Sequence, residues 1–235
     1  MRIGVLLKTA LFAGFLAAVL YSVVQAVSVV PLILEAEKFE TGAGHHGAAT
    51  PAAKSQTSTD QHSHDEVWSP ADGLERTLYT FFANLVAGIG FGLVLAAAIA
   101  LSRRQIDGPK GLLWGLAGFA VFHLAPALGL PPELPGSQAA ELELRQVWWV
   151  ATVAATAVGL VLVVFTPQSA FKIVGLAIIV IPHVVGAPHP DGGAGAVPPE
   201  LAAKFAVWSL AASAGFWLIL GWSSGILYRR LSATA

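Results

Sequence analysis

Residues 79–101 read YTFFANLVAGIGFGLVLAAAIAL, an apolar run of 23 residues that contains no charged side chain. The hydrocarbon core of a bilayer is about 30 Å thick, and an α-helix of roughly 20 apolar residues spans it. The run is continuously apolar and does not alternate polar with apolar positions, which favours a helix over a strand. The segment therefore predicts a membrane-spanning helix, and it decides the fold class.

Further apolar segments recur along the 235 residues, of which only 11% are charged. Soluble domains carry about 25% charged residues, so this chain lacks the charge to cover a surface that faces water. The predicted spans are residues 9–30, 79–101, 112–128, 147–165, 171–185 and 205–227. We predict an all-α, polytopic integral membrane protein with about six transmembrane helices. Five spans remain the alternative, because the third and fifth segments are short and contain Pro126 and Pro182.

The predicted division of the chain follows from these spans. Residues 1–34 hold the first transmembrane helix, residues 35–78 form an extracytoplasmic histidine-containing loop, and residues 79–235 form a bundle of four to five helices. Arg2 and Lys8 before an apolar run are also typical of a signal peptide, but a run of about 22 residues is longer than such a peptide needs, so we expect the helix to be retained.

Lysine and arginine residues predict the orientation. With both termini in the cytoplasm, eight of these bases fall in short inner segments and five in three longer outer loops. That asymmetry is the one that the positive-inside rule expects when both termini of a polytopic membrane protein are cytoplasmic. All seven histidines then lie on the outer side, together with every acid except Asp107.

The chain has no cysteine, and its single methionine is Met1. Disulfides, thiolate metal sites and cysteine nucleophiles are therefore excluded. Any metal site must use histidine, carboxylate, amide or backbone oxygen, and these ligands suit borderline divalent ions better than Cu(I).

The predicted outer loop is rich in metal-ligating side chains. They are His45, His46, His62, His64, Asp65 and Glu66, with Glu75 following near the membrane edge. Imidazole and carboxylate groups bind ions such as Co²⁺, Ni²⁺ and Zn²⁺. The composition of residues 42–62 predicts a flexible segment that captures ions weakly. The alternative is a polar linker whose histidines have no role.

The two short spans share a pattern. His123 lies close to Pro126 and His183 follows Pro182, and each span leads into a Pro-Pro-Glu-Leu sequence, at 131–134 and 198–201. Paired spans interrupted by proline are typical of a transporter binding site and suggest a bundle built from repeated helical hairpins. We therefore predict His123 and His183 as residues of an ion pathway near the outer ends of their helices, with His189 and Asp191 as further candidates. The alternative is a hydrogen bond from each histidine to a neighbouring helix.

Other polar and aromatic residues in the spans have structural interpretations. Asn84 and Gln25 are predicted to be interhelical hydrogen-bond partners. Trp148, Trp149 and Trp208 are predicted to lie in an interfacial belt.

Several of these segments together resemble CbtA, a family of cobalt transporter subunits. The resemblance rests on W-x-P-x-D-G-x-E-R at 68–76, on FHLAPALGLPPELP at 122–135, and on Pro-His at 182–183 with Gly-Ala-Pro at 186–188. It implies a small bacterial membrane protein tied to cobalt supply for cobalamin synthesis. It also implies a partner, CbtB, which is a short single-span protein with a histidine-rich terminal motif. The family is commonly described with five spans, whereas the charge distribution here favours six.

The function expected from the sequence is that of a membrane component of a divalent metal uptake system, with Co²⁺ as cargo and no resident cofactor. No nucleotide-binding motif is present, and neither enzymatic activity nor a nucleic-acid partner is expected. Two alternatives stay open. One is a membrane haem protein in electron transfer, with His123 and His183 as axial ligands. The other is a protein for metal sensing or assembly that has no pathway of its own.

Overall fold

The apolar runs of the sequence form the long helices of the computed structural model, which describes residues 3–43, 70–190, 192 and 195–234. The helices are α1 (Ile3–Ser28), α2 (Val30–Ala43), α3 (Leu74–Ser102), α4 (Gly108–Phe119), α5 (Ala125–Ala127), α6 (Leu142–Phe165), α7 (Ser169–Val185) and α8 (Pro199–Ala233). A π-helical turn, Ala120–Leu124, joins α4 to α5 without a break. The described part of the chain contains no strand.

Four helices, α1, α3, α6 and α8, are long and apolar enough to cross a bilayer. The shorter apolar segments are the continuous helix from 108 to 127 and the 17-residue helix α7. They correspond to the two short spans that were predicted around Pro126 and Pro182. Many large apolar side chains on these helices stay exposed, which in a membrane places them against lipid. The prediction of an all-helical polytopic membrane protein is confirmed.

Successive spans run in opposite directions. Gly14 of α1 packs on Gly88 of α3 while Ala10 packs on Gly92, so the sequence order reverses between the two helices. The α4–α8 and α6–α7 pairs show the same reversal. Among the described residues, one end of the bundle therefore carries 70–73, 128–141 and 186–190, and we call it the long-loop end. The opposite end carries the short connections 103–107 and 166–168.

Glycine allows the close approach of the helices. A Cβ atom on Gly111 of α4 would collide with the carbonyl oxygen of Gly221 of α8, and one on Gly115 would collide with that of Trp217. Gly159 of α6 and Gly175 of α7 meet in the same way. Small residues at such crossings let backbones pack in contact, where van der Waals forces hold helices together in lipid.

The helix α2 was not predicted, since the sequence assigned most of it to the outer loop. It packs against α8 through a cluster that includes Leu32, Ala36, Leu201 and Phe205. Arg76 fastens α2 to α3, because its two Nη groups donate to the two carboxylate oxygens of Glu37. This bidentate contact holds the pKa of the Glu37 carboxyl below its usual value.

Candidate functional site

His123 lies inside the π-helical turn of the third span, the continuous helix from 108 to 127. The N–H of Ala125 donates to the carbonyl oxygen of Ala120, five residues back, which widens the helix just before Pro126. The ring of a proline clashes with the carbonyl four residues earlier, so a wider turn lets the helix continue through Pro126. The helix is therefore bulged at His123 rather than interrupted there.

The imidazole of His123 is held in an aromatic cage. Trp217 Nε1 donates a hydrogen bond to His123 Nδ1 over 3.0 Å. Phe119 stacks on the ring with 6.2 Å between centroids, and Phe91 lies 6.3 Å away. Three helical segments thus fix the orientation of one neutral imidazole.

His123 lies deeper than the sequence predicted. Its hydrogen-bond partner Trp217 and its cavity neighbour Ser213 stand near the middle of α8. Ser213 is about 21 Å along the helix from Pro199, at a rise of 1.5 Å per residue. His123 lies near the end of its own helix, four residues before Ala127, as the sequence predicted. That end is nevertheless deep in the bundle, because α4 packs beside the middle and C-terminal part of α8 and its last turns reach only half-way along the longer helix.

A cavity of about 620 Å³ opens between α5, α6, α8 and the 130–133 segment. Most of its wall is apolar, with Phe122, Pro126, Leu130 and Trp149 among the lining residues. His123 lines it as well. We call it the larger cavity.

Glu133 and Arg145 are the charged side chains that the described residues contribute to the larger cavity. Arg145 Nη2 donates to Glu133 Oε2 over 2.7 Å, and the exposed fraction of each side chain is less than a third. Arg145 Nε is buried and has no hydrogen-bond partner in the described structure. The cavity thus contains one carboxylate, one guanidinium and one imidazole.

A second cavity, of about 150 Å³, also borders His123 and is called the smaller cavity. Its polar lining residues are Tyr21, Asn84, His123 and Ser213. Asn84 Nδ2 donates to Ser22 Oγ over 3.1 Å and to Gln25 Oε1 over 2.8 Å. The predicted interhelical role of Asn84 and Gln25 is confirmed. Because both bonds use the amide nitrogen, the amide orientation is fixed and its oxygen remains an acceptor.

His123 and Ser213 line both cavities and therefore stand at their junction. Each cavity thus borders the same two polar side chains inside a largely apolar bundle. Ionisable residues within spans are costly and mark pathways or relays in membrane proteins.

His183 lies elsewhere, on α7 against α6. Its ring meets Trp148 edge-on with 5.9 Å between centroids, and its Nε2 is buried with no hydrogen-bond partner in the described structure. Trp148 Nε1 donates to the carbonyl oxygen of Pro182 over 3.2 Å. Trp148 is only 7% exposed, so its predicted place in an interfacial belt was wrong. His183 lines neither cavity.

The other predicted site residues do not join His123. His189 is exposed beyond α7, and Glu75 is exposed at the start of α3, where its carboxylate accepts from the N–H of Ala71. Six residues lie outside the described part of the chain: His45, His46, His62, His64, Asp65, Glu66. Asp191 lies outside it too. Within the described ranges no group of three or more histidine and acidic side chains is positioned to hold a metal ion.

Sequence reasoning missed the residues that surround His123. Trp217 lies in the middle of an apolar helix, where its indole N–H needs a hydrogen-bond acceptor. That need was the one signal in the sequence for a polar partner of Trp217. Arg145 had been counted only as an outer base, and Glu133 only as part of the repeated Pro-Pro-Glu-Leu sequence. Nothing in the sequence indicated that these two side chains pair.

A family model described as "Probable cobalt transporter subunit (CbtA)" matches residues 3–229, nearly the whole chain. The chain belongs to the CbtA family. Searches of curated proteins and of solved structures found no match. As a CbtA protein it is embedded in a membrane, is assigned to cobalt ion transport, and is described as one subunit, which implies a partner.

Proposed function

We propose that this CbtA protein forms the membrane path of a Co²⁺ uptake system in the bacterial inner membrane, with both termini in the cytoplasm. The observation that carries the proposal is the position of His123, where two cavities meet beside the middle of α8. The family description supplies the cargo. Imidazole is a suitable ligand for Co²⁺, whereas the apolar walls offer none.

The proposed route has three stages. In the first stage, ions are captured at the long-loop end by the histidines and acids of residues 45–66, together with Glu75 and His189. His183 and Asp191 are assigned to the same capture stage. The ion then enters the larger cavity and reaches His123. Beyond it, the smaller cavity offers the hydroxyl oxygens of Tyr21 and Ser213 and the amide oxygen of Asn84. A neutral oxygen site binds a dication weakly enough to release it, which conduction requires.

Uptake of radioactive Co²⁺ and Ni²⁺ into cells tests the proposal. Cells that express the chain together with a small single-span, histidine-rich partner of the CbtB kind should accumulate Co²⁺ faster than cells with the partner alone. Deletion of residues 43–64 should raise the half-saturating Co²⁺ concentration and leave the maximal rate intact. Equal uptake with and without the chain would favour a role in metal sensing or assembly instead.

An absorption spectrum of the purified protein tests the haem alternative. A Soret band that shifts on reduction would contradict the proposed path. The expected spectrum has no such band.

A further inference from the structure

The two arginine–glutamate pairs at the long-loop end differ in geometry. Arg76 uses both Nη groups to hold both carboxylate oxygens of Glu37. Arg145 holds only Oε2 of Glu133, through Nη2 alone. Side chains of both pairs are about one-third exposed or less, so burial does not explain the difference.

The single contact leaves both partners incompletely satisfied. Glu133 Oε1 accepts no hydrogen bond from the described residues, and the buried Nε of Arg145 has no partner among them. Fork-to-fork contacts are the strong form of this ion pair, and buried donors without partners raise its energy. Arg145 therefore holds its carboxylate through one hydrogen bond, whereas Arg76 uses two.

Glu133 lines the larger cavity, so the single contact with Arg145 bears on cation binding there. Among the described residues, its carboxylate is the one acidic group that lines the larger cavity, and His123 lines the same cavity. A dication attracts a carboxylate twice as strongly as a guanidinium does at equal distance. An ion that reaches Glu133 can therefore displace Arg145, whereas a monovalent ion gains no such advantage.

We propose that Glu133 is the first divalent cation site of the larger cavity, and that Arg145 is a tethered counter-ion which the arriving dication displaces. The site rests on the proposed function for its cargo. With Arg145 bound, the pair carries no net charge and the cavity does not trap ions. With Arg145 displaced, the carboxylate holds a dication on its way to His123.

Equilibrium binding of Co²⁺ to the purified full-length protein in detergent, measured by calorimetry, tests this assignment. Arg145→Gln removes the competing cation, and Co²⁺ should bind about three- to tenfold more tightly. Glu133→Gln removes the ligand and leaves Arg145 in place, so affinity should fall at least about tenfold. Arg76→Gln is the matched control, since its pair does not line the cavity, and it should leave Co²⁺ affinity unchanged.

The Glu133→Gln, Arg145→Gln double variant tests whether Glu133 acts as a metal ligand or only through the net charge of the cavity. Its cavity has the same net charge as the wild type, yet it should bind Co²⁺ more weakly than the wild type. Because it also lacks the ion pair, it keeps the test valid if Arg145→Gln alone does not fold, as circular dichroism would show. Wild-type affinity in the double variant, unchanged or weaker binding in a folded Arg145→Gln variant, or no Co²⁺ binding by the wild type would each overturn the assignment.

Binding and uptake measurements together distinguish a failure of this inference from a failure of the proposed function. Co²⁺ binding that responds to Glu133 and Arg145 without any uptake by cells would leave a metal site in a protein that is not a transporter. Chain-dependent uptake with equal binding by the Arg145→Gln and Arg76→Gln variants would leave the transporter and remove this site.

Discussion

The hydrogen bond between Trp217 and His123 determines which ring nitrogen carries a proton. An indole N–H can only donate, so His123 Nδ1 accepts, and the neutral ring then carries its proton on Nε2. A histidine that binds a metal through one nitrogen usually donates a hydrogen bond from the other. Ligation through Nε2 therefore requires the Trp217 bond to break and the proton to move to Nδ1.

Trp217 should accordingly act as a restraint on metal capture. Trp217→Phe removes the indole donor and keeps an aromatic ring in the cage, so the half-saturating Co²⁺ concentration for uptake should fall by about fivefold, the equivalent of one hydrogen bond. Uptake kinetics in cells measure it, with Trp208→Phe on the exposed face of the same helix as the control. An increase, or no change, in a variant that reaches the membrane in normal amounts would contradict the restraint.

At the scale of the helices, small residues decide which pairs pack. Gly88, Gly90 and Gly92 of α3 are small residues at which another helix could approach closely, and such an approach occurs at two of them. Gly88 and Gly92 meet α1, whereas a Cβ atom on Gly90 would meet nothing within 4 Å. Composition could not separate them, because which face of α3 meets α1 depends on the rest of the bundle. For the same reason the sequence did not reveal that α4 packs on α8.

A pair of substitutions two residues apart tests this packing. Gly92→Ala places a methyl group against the backbone of Ala10, which should destabilise the protein by about 1–3 kcal/mol. Gly90→Ala adds the same methyl group in open space and should be neutral or stabilise the helix by up to about 1 kcal/mol. Thermal unfolding in detergent, followed by circular dichroism, compares them. Equal shifts in Tm would show that α1 and α3 do not pack as described.

At the scale of the whole molecule, the alternating spans bring one histidine to a position that borders two cavities. The sequence predicted the fold class, the family, and His123 as a residue of interest, since a histidine beside a proline in a span is unusual. It could not predict the depth of His123 or its separation from His183. Both depend on how far each helix is displaced along its neighbours, as the pairing of Gly111 with Gly221 shows. Local sequence does not encode that displacement.

The initial rate of radioactive Co²⁺ uptake by cells expressing the His123→Ala variant, at equal amounts of protein in the membrane, tests the central claim most directly. If the ion passes the junction of the two cavities, the chain-dependent rate should fall to the level of cells that lack the chain. His189→Ala, which changes an exposed histidine outside both cavities, should reduce it far less. Uptake at the wild-type rate by the His123→Ala variant would contradict the account.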